Sequence, residues 1–291
     1  MAEAEVQEIT CKTLLNRVNV PDFPFQWTLN PYRGCRHACR YCYARPTHEF
    51  WGMNAGSEFD QRVFAKVNAP EVLREELRRP KWQREAIAIG TASDPYEPAE
   101  AQYQLTRRIL QVLAEFQNPA SRDVDVLLEL YQNAEVQVVF SVGSIDEKVW
   151  KQTEPGTPSP LARLEAMQFL VESGLPAGVM MAPLLPGISD SSESINAVVA
   201  AAAEHKARFL SANLLFLKPG SKEWFMPLIR ESYPHLVPGY AKLYQRTYPY
   251  RDYTKEVLKV VDDARHRWEI PLTNPPRELT GPQRQLQLTF S

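Results

Sequence analysis

The chain has 291 residues, 44% of them hydrophobic and 23% charged, with 33 Lys+Arg against 35 Asp+Glu and a net charge of −2. That apolar content excludes a wholly disordered chain, and the near-balance of charge excludes a generally basic nucleic-acid coat while leaving room for a local basic groove. The longest apolar runs, such as residues 197–203, fall far short of the roughly 18 residues a membrane span needs. The opening string MAEAEVQEITCK is acidic and lacks the apolar core of a signal peptide, so a cytoplasmic protein with no membrane partner is expected.

Residues 1–24 form a mostly polar lead-in that ends at Pro21 and Pro24. Residues 25–30 read as a short strand, and a cysteine-bearing loop follows. Residues 70–79 predict a helix, with Pro70 in its first turn and Val72, Leu73 and Leu77 at helical spacing. Residues 86–90 predict a short buried strand, and residues 99–116 one amphipathic helix with Leu105, Ile109, Leu110, Val112 and Leu113 on its apolar side. Next come a helix at 124–131, a strand at 136–142, and a helix at 160–173 closed by Gly174. A strand at 177–182, a helix at 192–205 and a strand at 208–217 complete the series. Strands and helices therefore alternate from 25 to 218, the pattern of parallel βα units. Beyond Pro219 the chain is aromatic-rich and mostly helical through Trp268, and residues 271–291 carry four prolines and read as a tail. The expected organisation is an N-terminal extension (1–24), a βα unit (25–218), a helical extension (219–270) and a tail (271–291).

Proline is abundant at 24 and glycine scarce at 12, where average usage would give about 15 and 20. The prolines gather in short loops at 94–98, 155–160 and 183–187, so the chain has many defined element ends. Of the four cysteines, Cys35, Cys39 and Cys42 fall within eight residues while Cys11 stands alone. A disulfide framework would spread its cysteines through a small secreted chain, so these belong to a reducing compartment. Three thiols at C-x3-C-x2-C can converge on one iron–sulfur cluster and leave one iron open. The alternative is a structural zinc site with His37 or His48 as fourth ligand, but zinc sites come as paired ligand halves and the sequence offers no second half.

The string NPYRGCRHACRYCYARPTH, with Tyr41 before the last cysteine, resembles the radical S-adenosylmethionine (radical SAM) enzymes. Together with GTASDPYEPAE at 90–100, EPGTPSP at 154–160 and MAPLLPGISD at 181–190, it is similar to their spore photoproduct lyase-like branch over about residues 11–270. The resemblance implies a partial parallel (β/α)6-type barrel with a helical C-terminal extension. It implies that Cys35, Cys39 and Cys42 ligate a [4Fe-4S] cluster whose fourth iron binds SAM. An external electron donor would then drive cleavage of SAM to a 5′-deoxyadenosyl radical that abstracts a substrate hydrogen. In that scheme Tyr41 packs by the adenine, and Thr91, Ser93 and Asp94 belong to a segment contacting the SAM amino group. Ser141 approaches the ribose or carboxylate, and Pro183 and Leu184 begin a loop flanking the adenine. Read on their own, Asp94-Pro95 is equally a turn and Ser141 equally a strand residue bonded to its neighbours.

The chain departs from that family twice. Relatives carry a further strand between the helices ending near Phe116 and beginning near Asp123, and here residues 117–123 join the helices directly. Loss of a central strand would leave two unpaired edges. The lyase of the branch also uses an additional cysteine as hydrogen donor, whereas the spare thiol here, Cys11, lies in the lead-in.

Two features speak to partners. Arg33, Arg36, Arg40 and Arg45 surround the cysteines and Arg74, Arg78, Arg79, Lys81 and Arg84 follow, either to bind nucleic-acid phosphates or to form a solvated face with Glu75 and Glu76. In the tail, Gln285, Leu286, Leu288 and Phe290 resemble the short peptide by which bacterial repair proteins hold the sliding clamp. The expected function is hydrogen abstraction from nucleic acid in repair or modification. The alternatives are modification of a peptide or small molecule, and a non-catalytic iron–sulfur redox module.

Overall fold

A computed structural model describes residues 5–20, 23–83, 85–116, 123–274 and 285–290, with Asp123, Asn133 and 285–290 described by backbone alone. Arg84 and the linker 117–122 lie outside the described residues. The first strands are β1 (Glu5–Ile9), β2 (Asn16–Arg17), β3 (Trp27–Leu29) and β4 (Tyr32–Arg33). The cysteine loop and a 3-10 helix (Arg45–Trp51) lead to α1 (Ser57–Gln61), β5 (Arg62–Lys66), α2 (Ala69–Arg78) and β6 (Ile87–Ile89). Then come α3 (Glu100–Tyr103), α4 (Leu105–Glu115), α5 (Asp123–Asn133), β7 (Glu135–Ser141), α6 (Glu147–Thr153) and α7 (Pro160–Glu172). The chain continues through β8 (Ala177–Leu184), α8 (Ser192–Glu204), β9 (Leu210–Leu214), α9 (Ser221–Ser232), α10 (Val237–Leu243), α11 (Arg251–Arg267) and β10 (Gln285–Phe290).

The main sheet has seven strands in the order β2-β3-β6-β10-β7-β8-β9, parallel throughout except for the β2–β3 pair. Its strands are buried at successive positions, and so on both faces, as in Ile87, Ala88 and Ile89 of β6 and Val138, Val139 and Phe140 of β7. Helices α2, α4, α5, α7, α8 and α11 supply the other half of this core through Leu73, Leu110, Leu127, Leu164, Val198 and Val261. The fold is thus the expected mixed α/β architecture with an open rather than closed barrel. A second sheet, β1-β5-β4, carries the lead-in: β1 pairs parallel with β5 from Glu5↔Arg62 to Ile9↔Lys66. With three polar residues out of five, β1 escapes a reading based on apolar runs.

The helix expected over 99–116 is two helices. Gln104 takes a left-handed backbone with φ 50°. The Glu100 carboxylate then receives the Thr106 and Arg107 backbone N–H groups (3.0 and 3.1 Å), capping α4 from the previous turn. The same carboxylate accepts the Tyr32 hydroxyl, tying the break to β4.

The tail corrects a second expectation. β10 lies between β6 and β7, pairing Leu286↔Ile87 on one side and Gln285↔Glu135 through Phe290↔Phe140 on the other. β10 thus supplies a central strand where the sequence offers none between the helices ending near Phe116 and beginning near Asp123. Residues 285–290 are a strand of the chain's own sheet and not an extended peptide offered to a sliding clamp. The physical reason is the edge: β6 and β7 would otherwise expose two rows of unsatisfied backbone groups, and a parallel segment satisfies both.

Candidate cofactor site

Parallel α/β sheets bind ligands beyond the carboxyl ends of their strands, and the cysteine loop lies there. It leaves β3 at Asn30, whose side chain receives the Ala92 N–H (2.7 Å) and donates to the Thr91 hydroxyl (3.3 Å), joining the ends of β3 and β6. At Gly34 the backbone turns with φ 77°, and a Cβ there would strike the Arg62 and Phe59 carbonyls. Cys35 N–H then bonds the Phe59 carbonyl (3.1 Å), and single turns follow from Cys39 to Cys42 (3.2 Å) and from Cys42 to Arg45 (3.5 Å). Cys35 and Cys39 are buried, Cys42 partly so, and Cys11 lies elsewhere, bonded through its backbone to Asn68.

Two sets of contacts clamp this loop. From the segment after β6, the Ser93 hydroxyl donates to the Gly34 carbonyl (2.6 Å), Asp94 pairs with His37 (3.5 Å) and Glu97 with Arg36 (3.3 Å). From the 154–160 segment, Glu154 accepts the Tyr41 hydroxyl on Oε1 (2.6 Å) and the Arg163 guanidinium on Oε2 (2.5 Å). Arg163 also donates to the Ser141 carbonyl at the end of β7 (2.6 Å). Gly156 N–H bonds the His37 carbonyl (3.0 Å), and a Cβ on Gly156 would run into the Arg36 and His37 carbonyl oxygens. Glu154 and Arg163 are 6% and 4% exposed, so this is a buried ion pair, tied to the loop through Tyr41 and to β7 through the Ser141 carbonyl.

The expected residues are accordingly placed as follows. Tyr41 is held by Glu154, Thr91 by Asn30 and by the Tyr43 hydroxyl on its carbonyl, and Ser93 and Asp94 by the loop itself. Ser141 is half-buried at the end of β7, Pro183 follows a cis Ala182–Pro183 bond, and Leu184 is fully buried in the main core. His48 is used on the Arg62 carbonyl (3.2 Å) against Phe59.

The arginines beside the cysteines are corrected in part. Arg45 is fully buried: it donates to the Cys39 carbonyl (3.1 and 3.0 Å) and to Asp60 (2.7 Å), and its guanidinium lies 4.7 Å from the Trp224 ring centroid. Arg36 pairs with Glu97 and Arg33 lies 4.3 Å over Trp51. Desolvated pairing inside the fold wins over phosphate binding for Arg45. Sequence spacing gave no sign of this role.

Burial first, then the Glu154 charge, raises the Cys39 thiol well above its ordinary value. Burial also pushes Cys42 up to about 11, against the nearby Arg45 cation. Both thiols hold their protons until an electrophilic metal displaces them. For His37, burial opposes the charged form, but Asp94 and Cys35 outweigh it and push the ring up to about 10. Among the described residues no group of three His, Cys, Asp or Glu converges as ligands of a single ion. A four-iron cluster takes one thiolate per iron and needs no such convergence, so two buried thiols and a partly buried third, with the Arg45 guanidinium on the Cys39 carbonyl, fit an anionic cluster better than zinc.

A sequence profile described as the radical SAM superfamily matches residues 29–197, more than half of the chain. An uncharacterized protein of Mycobacterium tuberculosis is 41% identical over 249 residues, 82% of this chain and 73% of that one. An uncharacterized protein of Methanocaldococcus jannaschii is 26% identical over 197 residues, 65% of this chain and 71% of that one. Among solved structures, a spore photoproduct lyase variant with bound AdoMet and dinucleoside spore photoproduct superposes with a TM-score of 0.65. That match has 16% identity and covers 97% of this chain and 81% of the lyase chain. Superfamily members are enzymes that use a [4Fe-4S] cluster and S-adenosylmethionine. On the profile match and the mycobacterial relative, this chain belongs to the radical SAM superfamily.

Proposed function

We propose that the protein is a radical SAM enzyme that abstracts hydrogen from nucleic acid in a repair or modification reaction. The observation that carries the reading is the loop of three cysteines, two buried and one partly so, at the carboxyl ends of β3 and β6, clamped from both sides by its own chain. When bound, the cluster and SAM supply one-electron reductive cleavage of the sulfonium and hydrogen abstraction from a substrate, with electrons from an external donor. Cys35, Cys39 and Cys42 would hold the cluster. Tyr41, fixed by Glu154, packs beside the adenine, and Thr91, Ser93 and Asp94 line the cofactor's amino end. Ser141 lies toward the ribose or carboxylate, and Pro183 flanks the adenine, with Leu184 anchoring that loop in the core. The nucleic-acid assignment is supported by the fold shared with a lyase solved with a dinucleoside bound.

The test is turnover of anaerobically reconstituted protein with dithionite, SAM and uniformly deuterated oligonucleotides, single-stranded and duplex. Deuterium appearing in 5′-deoxyadenosine is the expected result. Steady 5′-deoxyadenosine release with no deuterium from any oligonucleotide would contradict the substrate class.

A further inference from the structure

Arg45 is committed inside the fold and Arg36 to Glu97, so other cations are needed to meet an anionic substrate. Tyr43, the residue after Cys42, begins a row of three aromatic rings. Its centroid lies 5.4 Å from that of Phe216, and Phe216 stacks on Tyr248 at 5.5 Å and 30°. Tyr43 and Tyr248 remain 45% and 65% exposed. The row is held in place rather than mobile. The Tyr43 hydroxyl bonds the Thr91 carbonyl, and the Leu217 N–H bonds the Thr247 carbonyl (2.8 Å), fastening the segment of Tyr248 to that of Phe216. Lys218 stands with its ammonium 5.7 Å from the Phe216 centroid. The two segments that carry Phe216 and Tyr248, 216–222 and 242–251, contain Lys218, Lys222, Lys242, Arg246 and Arg251, with the first carboxylates, Glu223 and Asp252, following directly after each. Lys222 is used on the Tyr244 carbonyl (2.9 Å), while Lys218, Lys242, Arg246 and Arg251 are exposed.

Exposed rings interleaved with cations recognise an unpaired polynucleotide: every base offers a π face, and phosphates meet the ammonium and guanidinium groups. A base inside a duplex is already stacked on both sides and gains nothing from such a row unless it is extruded. We infer that Tyr43, Phe216 and Tyr248, with Lys218 and Arg246, form a platform for an unpaired strand, with Tyr248 at its outer end and Tyr43 delivering the reacting nucleotide beside Cys42. The inference rests on the nucleic-acid reading above and narrows it to unpaired nucleotides.

The experiment titrates reconstituted protein into a ten-nucleotide single strand bearing 2-aminopurine, and into the same sequence as a blunt duplex. Tighter binding of the single strand, with quenching of the stacked fluorophore, is expected. Tyr248→Ala should weaken binding by about tenfold, Tyr248→Phe by less than twofold, and Lys218→Gln should reduce the salt slope by about one. Phe169→Ala removes an exposed ring on α7, far from the row in sequence, and should leave binding unchanged. Iron content and urea midpoint of Tyr248→Ala matching wild type would show that the variant is folded. Strand binding that ignores Tyr248→Ala would overturn the platform and leave the nucleic-acid reading standing. Equal binding of a polyglutamate peptide would overturn the platform as a polynucleotide site. Failure of wild type to bind any oligonucleotide would overturn the substrate reading itself.

Discussion

At the scale of single residues, the account turns on side chains that never need touch a substrate. Glu154 gathers Tyr41, Arg163 and Thr157 around one buried carboxylate, so its loss strands the Arg163 cation in a low-dielectric place. Glu154→Ala should cost about 3–5 kcal/mol, read as a fall in urea midpoint at unchanged slope. The double variant Glu154→Gln with Arg163→Met should cost less than the two single changes summed, because the unpaired charge is gone. Additive losses would mean that the pair is not coupled. Gly156 is a second such position: its Cβ would collide with backbone carbonyls of the cysteine loop, so Gly156→Ala should cost roughly 1–3 kcal/mol and lower the iron retained after reconstitution. Of these, the sequence showed the 154–160 string as a recognisable block but not what Glu154 holds. A carboxylate's partner 113 residues away is set by the fold and leaves no local periodicity.

At the scale of elements, most of the parallel sheet was legible because its strands are short apolar runs between Pro and Gly signals. Three features were not. β1 and β5 pair across a long separation, and β1 offers only Val6 and Ile9 as apolar residues. The break at Gln104 depends on Glu100 folding back to cap α4, a local contact that competes with a continuous helical pattern. β10 is the largest surprise, since the strand that fills the centre of the sheet comes from the tail. Because β10 alone joins β6 to β7, removing residues 285–291 should destabilise the whole sheet, lowering the melting temperature and the iron loading together. A synthetic peptide of sequence QLQLTFS added to the truncated protein should restore both, since its backbone supplies the same two rows of hydrogen bonds. A truncated protein as stable as the full chain would show that the slot between β6 and β7 does not need this strand.

At the scale of the whole molecule, an open sheet carries the cysteine loop at its carboxyl edge, with the Tyr43, Phe216 and Tyr248 row starting one residue after Cys42. No helix among the described residues is long and apolar enough to cross a membrane. The central claim is that Cys35, Cys39 and Cys42, and not Cys11, hold a cluster that activates SAM. The direct measurement is 5′-deoxyadenosine formed by anaerobically reconstituted protein with dithionite and SAM, alongside iron content, for wild type, Cys39→Ala and Cys11→Ala. The account predicts about four irons and 5′-deoxyadenosine for wild type and Cys11→Ala, and neither for Cys39→Ala. Loss of cluster and product in Cys11→Ala, or product from Cys39→Ala equal to wild type, would contradict it.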